Sequence, residues 1–365
     1  MSDRLHEVDG IRGWAALVVL LYHTFGEMLK YAVPEINSPW LAPFLSSDIA
    51  VLMFFILSGD ALSSGFFAGQ GDRFIDRLMV RRYFRLTVPI FFSCFVTYIV
   101  LRMDLNYHAE AAIILHREDW LGNFLRFHES FVSLLHYSLT GVYVSHSAEK
   151  SYNPFLWTMS VEMVGSILVF LLCYTWERLR NPPMICIVLS VFLTCFGSFL
   201  GLFFAGAYIG YLRKIGFLNR LLHKKNYQYF CLLVVIAIVA MLIFFAYAEL
   251  PASFLPVRMG LALMLVFCFY THPGLKNFFS NRFSQFLGDI SFPLYLIHFQ
   301  ILISLMSWLV VRDYSDTGTV IQSHMVVIGS VAVGASMSAA WLTRRLEKQV
   351  LKKIDFYALK VLVAS

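Results

Sequence analysis

Residues 9–23 run Asp-Gly-Ile-Arg-Gly-Trp-Ala-Ala-Leu-Val-Val-Leu-Leu-Tyr-His, DGIRGWAALVVLLYH. From Trp14 to Tyr22 the stretch is uncharged and apolar, the pattern of a helix entering a membrane, yet Arg12 and His23 bracket it. They are 11 positions apart, close to three full turns, so one helix face carries both side chains. A rise of about 1.5 Å per residue puts His23 about 16 Å further along the axis. With Arg12 at the cytoplasmic boundary, the imidazole comes near mid-membrane. Ionisable groups in hydrocarbon are costly, which makes each a functional hypothesis, and imidazole is the side chain best suited to moving a proton near neutral pH. A buried histidine bonded to a neighbouring carbonyl fits the same position.

The rest of the chain agrees with a membrane helix. Of 365 residues, 59% are hydrophobic and 14% charged, with a mean hydropathy of +0.68, whereas a soluble domain is about a quarter charged. The chain is expected to be an all-α, polytopic helical bundle forming a single domain over 1–365. Its first apolar run has no small-residue cleavage site after it and is expected to be retained as a span. Span-like segments fall near 13–33, 49–68, 86–102, 155–175, 228–247, 257–271, 289–310 and 323–343. The stretch 184–212 is too long for one straight crossing, since about 20 residues suffice, and Gly197-Ser198 is expected to break it into two short tilted helices. The expectation is ten spans with both termini cytoplasmic. That arrangement puts 22 of the 29 Lys and Arg on the inner side and 7 outside, as the positive-inside rule requires. The net charge of +6 is accounted for by anchoring on anionic lipid and requires no nucleic acid. Residues 103–154 are expected to be an extracytoplasmic amphipathic segment. The six cysteines lie in apolar runs without metal-ligand spacing, and no metal is expected.

Other polar residues interrupt the apolar runs. Glu162, in PFLWTMSVEMVGS, lies about 12 Å into its helix from Pro154, so Glu162 and His23 are expected to meet at similar depth. A carboxylate there would orient or charge-stabilise the imidazole, or serve as the base. A structural helix–helix hydrogen bond is the other reading. Asp60 follows FFILSG, to pair with an arginine or cap a broken helix. His298, in GDISFPLYLIHF, is expected to be structural. In RLMVRRYFRLTVP, Arg81 and Arg85 are spaced i,i+4 and Arg82 and Arg85 i,i+3, which lines them on one face. Guanidinium forks match phosphate oxygens, so the cluster suggests a phosphate-bearing ligand at the cytoplasmic side, beside ordinary membrane anchoring.

Taken in order, five motifs resemble those of the membrane acyltransferase-3 family, integral-membrane O-acyltransferases that modify cell-surface glycans. DGIRGWAALVVLLYH resembles the opening motif, with its arginine and histidine at Arg12 and His23. FFILSG, VRRYFRLTVP, LWTMSVE ending at Glu162, and GDISFPLYLIH follow in the family's order. The chain departs from the pattern at Asp60, where an aromatic residue is usual, and at Leu52 and Met53, where an acid often precedes the FF pair. The resemblance implies transfer of an acyl group, acetyl in the first instance, from cytoplasmic acyl-CoA as co-substrate to a hydroxyl of an extracytoplasmic carbohydrate or glycolipid, such as lipopolysaccharide O-antigen or exopolysaccharide. The enzyme would sit in the plasma membrane, the inner one in a Gram-negative cell, in contact with membrane lipid. On this reading Arg12, Arg81, Arg82 and Arg85 hold the CoA, and His23 is the general base or an acyl-carrying nucleophile. Glu162 is its catalytic partner, Trp157 and Ser160 support the oxyanion and substrate, and Asp60 belongs to the substrate path. A proton-coupled transporter or flippase would use the same buried His, Glu and Asp. The chain lacks the internal repeat that transporters often show.

Overall fold

The computed structural model describes residues 5–70, 72–248 and 255–363. Arg4, counted above among the inner cations, lies outside them. Every regular element among the described residues is helical. The longer ones are α1 (His6–Leu21), α2 (Ser47–Phe67), α3 (Asp72–Arg102), α4 (Thr158–Thr175), α5 (Pro182–Cys195), α6 (Leu200–Lys214), α7 (Lys225–Tyr247), α8 (Leu255–Thr271), α9 (Arg282–Ile301) and α10 (Gln322–Val363). Asparagines start several of them. Asn181 and Asn281 accept from the backbone N–H of Met184 and Ser284, and proline follows Asn181 in the first turn, where its missing donor costs nothing.

Six stretches among the described residues are long and apolar enough to cross a membrane: Pro39–Phe67, Ile75–Arg102, Pro154–Arg178, Lys225–Tyr247, Arg282–Thr317 and Gln322–Arg345. A seventh arises if α8 and Pro273–Ser280, which meet at 89°, count as one broken span. This is fewer than the ten expected, and the reasons are physical. α1 keeps regular α geometry for 16 residues before Tyr22–Met28 widen into a π-helical turn. The break in 184–212 falls where expected, with Gly197 at φ +70° between α5 and α6. The resulting helices have 14 and 15 residues, about 21–23 Å of rise, short of a hydrocarbon core of about 30 Å.

Glycine sets the register of two helix pairs that position the site. A Cβ on Gly13 would lie 2.3 Å from the backbone nitrogen of Gly288, and one on Gly288 would lie 2.3 Å from the carbonyl oxygen of Asp9. So α1 and α9 touch backbone to backbone, running in the same direction, and the pairing extends to His23 beside His298. α2 and α6 meet likewise, because a Cβ on Gly206 would sit 2.0 Å from the carbonyl oxygen of Ile56 and one on Gly59 2.1 Å from that of Phe203. Small residues permit this approach where apolar lipid gives helices no hydrophobic reason to associate.

The segment 103–154 closes one end of the bundle as short helices, chiefly His108–Ile114 and Phe131–His136. Its amphipathic patch turns inward. Leu121 and Phe124 are buried and pack with Phe155, Phe299 and Met28. Arg117 is buried there and donates to Glu27 at 2.6 Å.

Candidate active site

His23 lies in the π-helical turn that follows α1. Its Nδ1 is 3.0 Å from His298 Nε2, and its ring stacks on Phe155 at 3.9 Å between centroids and 7° between planes. His298 is buried, and its Nδ1 is 2.9 Å from the carbonyl oxygen of Leu294, one turn earlier on α9. A carbonyl only accepts, so His298 Nδ1 carries the proton. In the neutral ring His298 Nε2 is then an acceptor, and His23 Nδ1 must donate to it. The proton positions follow from this network, and they leave the lone pair of His23 on Nε2. The pair thus leaves one ring nitrogen of His23 able to accept a proton, with the tautomer fixed by His298.

A second cluster lies lower in the bundle, around a cavity of about 220 Å³ whose wall includes Arg12, Ser58, Arg82, Arg85 and Glu162. Arg12 donates to Ser58 Oγ at 3.2 Å, and Ser58 donates to Glu162 Oε1 at 2.7 Å. Arg82 donates from Nη2 to the same carboxylate oxygen and from Nε to Ser166 Oγ at 2.8 Å. The result is a guanidinium–hydroxyl–carboxylate–guanidinium chain linking α1, α2, α4 and α3. The Glu162–Arg82 pair is largely buried, and one carboxylate among Arg12, Arg82 and Arg85 leaves the cavity wall cationic.

The two clusters adjoin. Val19, one turn before His23, lines the cavity together with Thr158 and Tyr295. The Tyr295 hydroxyl donates to the carbonyl oxygen of Phe155, the residue stacked on His23, and lies 2.8 Å from Thr158 Oγ1. Tyr295 and Thr158 therefore connect the cavity wall to Phe155, the residue stacked on the imidazole.

Several sequence expectations change here. Glu162 contacts Ser58 and Arg82, and the position on α4's side that meets His23 is Phe155, two turns above it. Phe155 precedes Glu162 by seven residues, which sets Glu162 roughly 10 Å along the helix axis from the level of the imidazole. Of the expected arginines, Arg12, Arg82 and Arg85 reach the cavity, while Arg81 is not among its lining residues. Trp157 and Ser160 face away from it. Ser160 donates to the carbonyl of Trp157, whose indole is 40% exposed and packs on Phe199. Ser160 lies on the side of α4 opposite Thr158 and Glu162, as the helical period dictates, and Trp157 precedes the helix. Asp60 is fully buried and takes both guanidinium nitrogens of Arg213, at 2.6 and 2.8 Å, plus the Tyr270 hydroxyl at 2.8 Å. It clamps α2, α6 and α8 together, the arginine pairing that the sequence offered for it. His298, expected to be structural, is the direct partner of His23. Nothing local in the sequence pairs these residues. Their juxtaposition depends on the glycine contacts between α1 and α9.

A family model described as an acyltransferase domain, Acyl_transf_3, matches residues 5–344. An O-acetyltransferase of Phomopsis amygdali, PaAT-1, is 26% identical over 356 residues, covering 80% of this chain and 71% of that protein. No solved structure matches the chain. The family match takes in α1, the arginine–glutamate chain and the histidine pair together, and the chain therefore belongs to the acyltransferase-3 family of integral membrane proteins.

Proposed function

We propose that the protein transfers an acetyl group from acetyl-CoA, presented at the cytoplasmic side, to a hydroxyl of a carbohydrate or glycolipid on the opposite side. The observation that carries this is the His23–His298 pair, which offers the lone pair of His23 Nε2 beside a cationic cavity. The relative named as an O-acetyltransferase favours an oxygen acceptor and an acetyl group. Acyl-CoA is too highly charged to cross a bilayer, so a passage that moves only the acyl arm solves the transport problem.

In this reading the acceptor hydroxyl loses its proton to His23 Nε2 as its oxygen attacks the thioester carbonyl. The tetrahedral intermediate collapses, the C–S bond breaks, and the proton on His23 passes to the departing thiolate. His298 Nε2 keeps accepting from His23 Nδ1–H throughout, which stabilises the transient imidazolium. An acyl-histidine route, with His23 Nε2 as nucleophile, uses the same lone pair. Glu162 serves as the counter-charge that holds Arg82 and, through Ser58, Arg12. Parallel α1 and α9, and parallel α2 and α6, support a ten-pass alternation with both termini inside, because helices of like parity must run the same way.

The test uses purified protein in nanodiscs with labelled acetyl-CoA and a glycan acceptor. His23→Ala is expected to retain CoA binding and to lose transfer by roughly 10²–10⁴-fold. Near-wild-type transfer by that variant removes His23 from the chemistry. A wild-type protein that carries intact acetyl-CoA across the bilayer would instead be a transporter.

A further inference from the structure

Arg12 stands in the wall of two cavities. The second, of about 400 Å³, opens at the end of the bundle that holds the start of α1 and the last turn of α6. Its wall includes Val8, Asp9, Arg12, Ser64, Arg213 and Lys214. Along α1, Val8, Asp9, Arg12 and Val19 line the two cavities, and of these Val8, Arg12 and Val19 lead on to His23, one turn further. Steps of four, seven and four keep them on one stripe. Along α2, Phe55 and Ser58 face the inner cavity and Ala61 and Ser64 the outer one. Both cavities are therefore segments of a single groove between α1 and α2, with Arg12 at the junction.

The outer segment is built for an anion. Arg213 is anchored on buried Asp60 and held over the Tyr270 ring at 5.0 Å, so its position is fixed before any ligand arrives. Lys214 is exposed at the rim, 5.8 Å over the Phe67 ring. Arg12 gives one hydrogen bond to Ser58, while its Nε is buried and donates to nothing among the described residues. That N–H is a donor position which an anion in the mouth would fill. Arg82, one of the residues expected to grip phosphate, is already committed to Glu162 and Ser166.

We infer that the phosphate-bearing end of the donor docks in this outer mouth, against Lys214, Arg213 and Arg12 Nε, and that its acyl arm follows the α1 stripe past Ser58 and Val19 to His23. The inference rests on the acyl-CoA reading above and names the subsite that reading needs. An anionic lipid headgroup shares this phosphate chemistry, and the experiment separates the two sources.

Full-length wild type, Lys214→Glu and Lys225→Glu are compared. Lys214 is exposed and leaves the Asp60–Arg213 clamp intact, and Lys225 is an exposed cation outside the mouth. Equilibrium binding of labelled CoA in neutral detergent is measured first, then retention of phosphatidylglycerol in mixed-lipid nanodiscs. The expected result is CoA affinity lower by on the order of tenfold in Lys214→Glu and unchanged in Lys225→Glu. Equal CoA affinity in wild type and Lys214→Glu overturns the subsite and leaves the acyltransferase reading standing. Equal losses in both variants show general surface attraction and also overturn it. Loss of phosphatidylglycerol retention with unchanged CoA affinity assigns the mouth to lipid. A wild-type protein that binds no CoA overturns the acyl-CoA reading and the subsite together.

Discussion

At the scale of single residues, the proposed chemistry depends on which nitrogen of His23 is free. The carbonyl of Leu294 fixes His298, and His298 fixes His23. Removing the middle member frees His23 to adopt the other tautomer, so His298→Ala is expected to lower kcat by about 10–100-fold at an unchanged KM for acetyl-CoA. His298→Gln, whose amide oxygen can accept from His23 Nδ1–H, should recover part of that loss. Steady-state kinetics of the two variants check this, and equal rates for Ala and wild type would separate His298 from the chemistry. The sequence shows which residue types are out of place in an apolar helix, which is why Arg12, His23, Arg82 and Glu162 were all legible. It does not show partners. Glu162 satisfies the expectation of a buried carboxylate equally well beside an imidazole or between Ser58 and Arg82. Only the register of this segment against α1 decides, and Phe155 occupies the place beside His23.

At the scale of elements, helix positions follow from apolar run length and from breakers, and here the sequence was a good guide. Gly197 ends α5 as its composition suggested. Register between helices was not legible, because it rests on which glycines meet backbone, and a glycine in an apolar run looks the same whether it faces lipid or another helix. Gly13 and Gly260 make the contrast. A Cβ on Gly13 would collide with α9, while Gly260 has nothing within 4 Å. Gly13→Ala is expected to separate α1 from α9, lowering thermal stability by more than about 1 kcal/mol and weakening transfer by moving His23 from His298. Gly260→Ala, within α8, should be neutral or slightly stabilising, since alanine is the better helix former by up to about 1 kcal/mol. Melting curves in detergent distinguish them, and equal behaviour would mean that the α1–α9 contact is not tight.

At the scale of the whole molecule, two properties can be measured. The first is sidedness. With Cys195 replaced, since it is the exposed native thiol among the described cysteines, single cysteines at Asn106 and Lys225 should be labelled from opposite sides, Lys225 from the cytoplasm. Labelling of Lys225 from outside reverses the bundle. The second is the cap formed by 103–154. His108 and His146 have their pKa values lowered, in both cases chiefly by burial, with the carbonyls of Phe124 and Pro154 acting the other way. The opened cap binds more protons than the closed one once the pH falls below the ordinary imidazole value of 6.5. Closure is therefore fully favoured above that value and is lost progressively below it. Amide exchange across 108–146 should be faster at about pH 5.5 than at about pH 7.5 after correction for intrinsic rates. His108→Gln with His146→Gln should remove the difference.

The chain from Arg12 through Ser58 and Glu162 to Arg82 has a consequence for the cell as well as for catalysis. A groove able to admit an acyl arm is also a potential leak for protons and metal cations, and a bacterium or organelle lives on the gradients such a leak would drain. Fixed guanidinium charge across a narrow passage repels cations, as it does in water-conducting channels, and hydrogen bonds on both sides of Glu162 hold that charge in place. On the proposed reading, the same crossbar that meets an anionic donor would also keep the membrane electrically sealed while the acyl group passes.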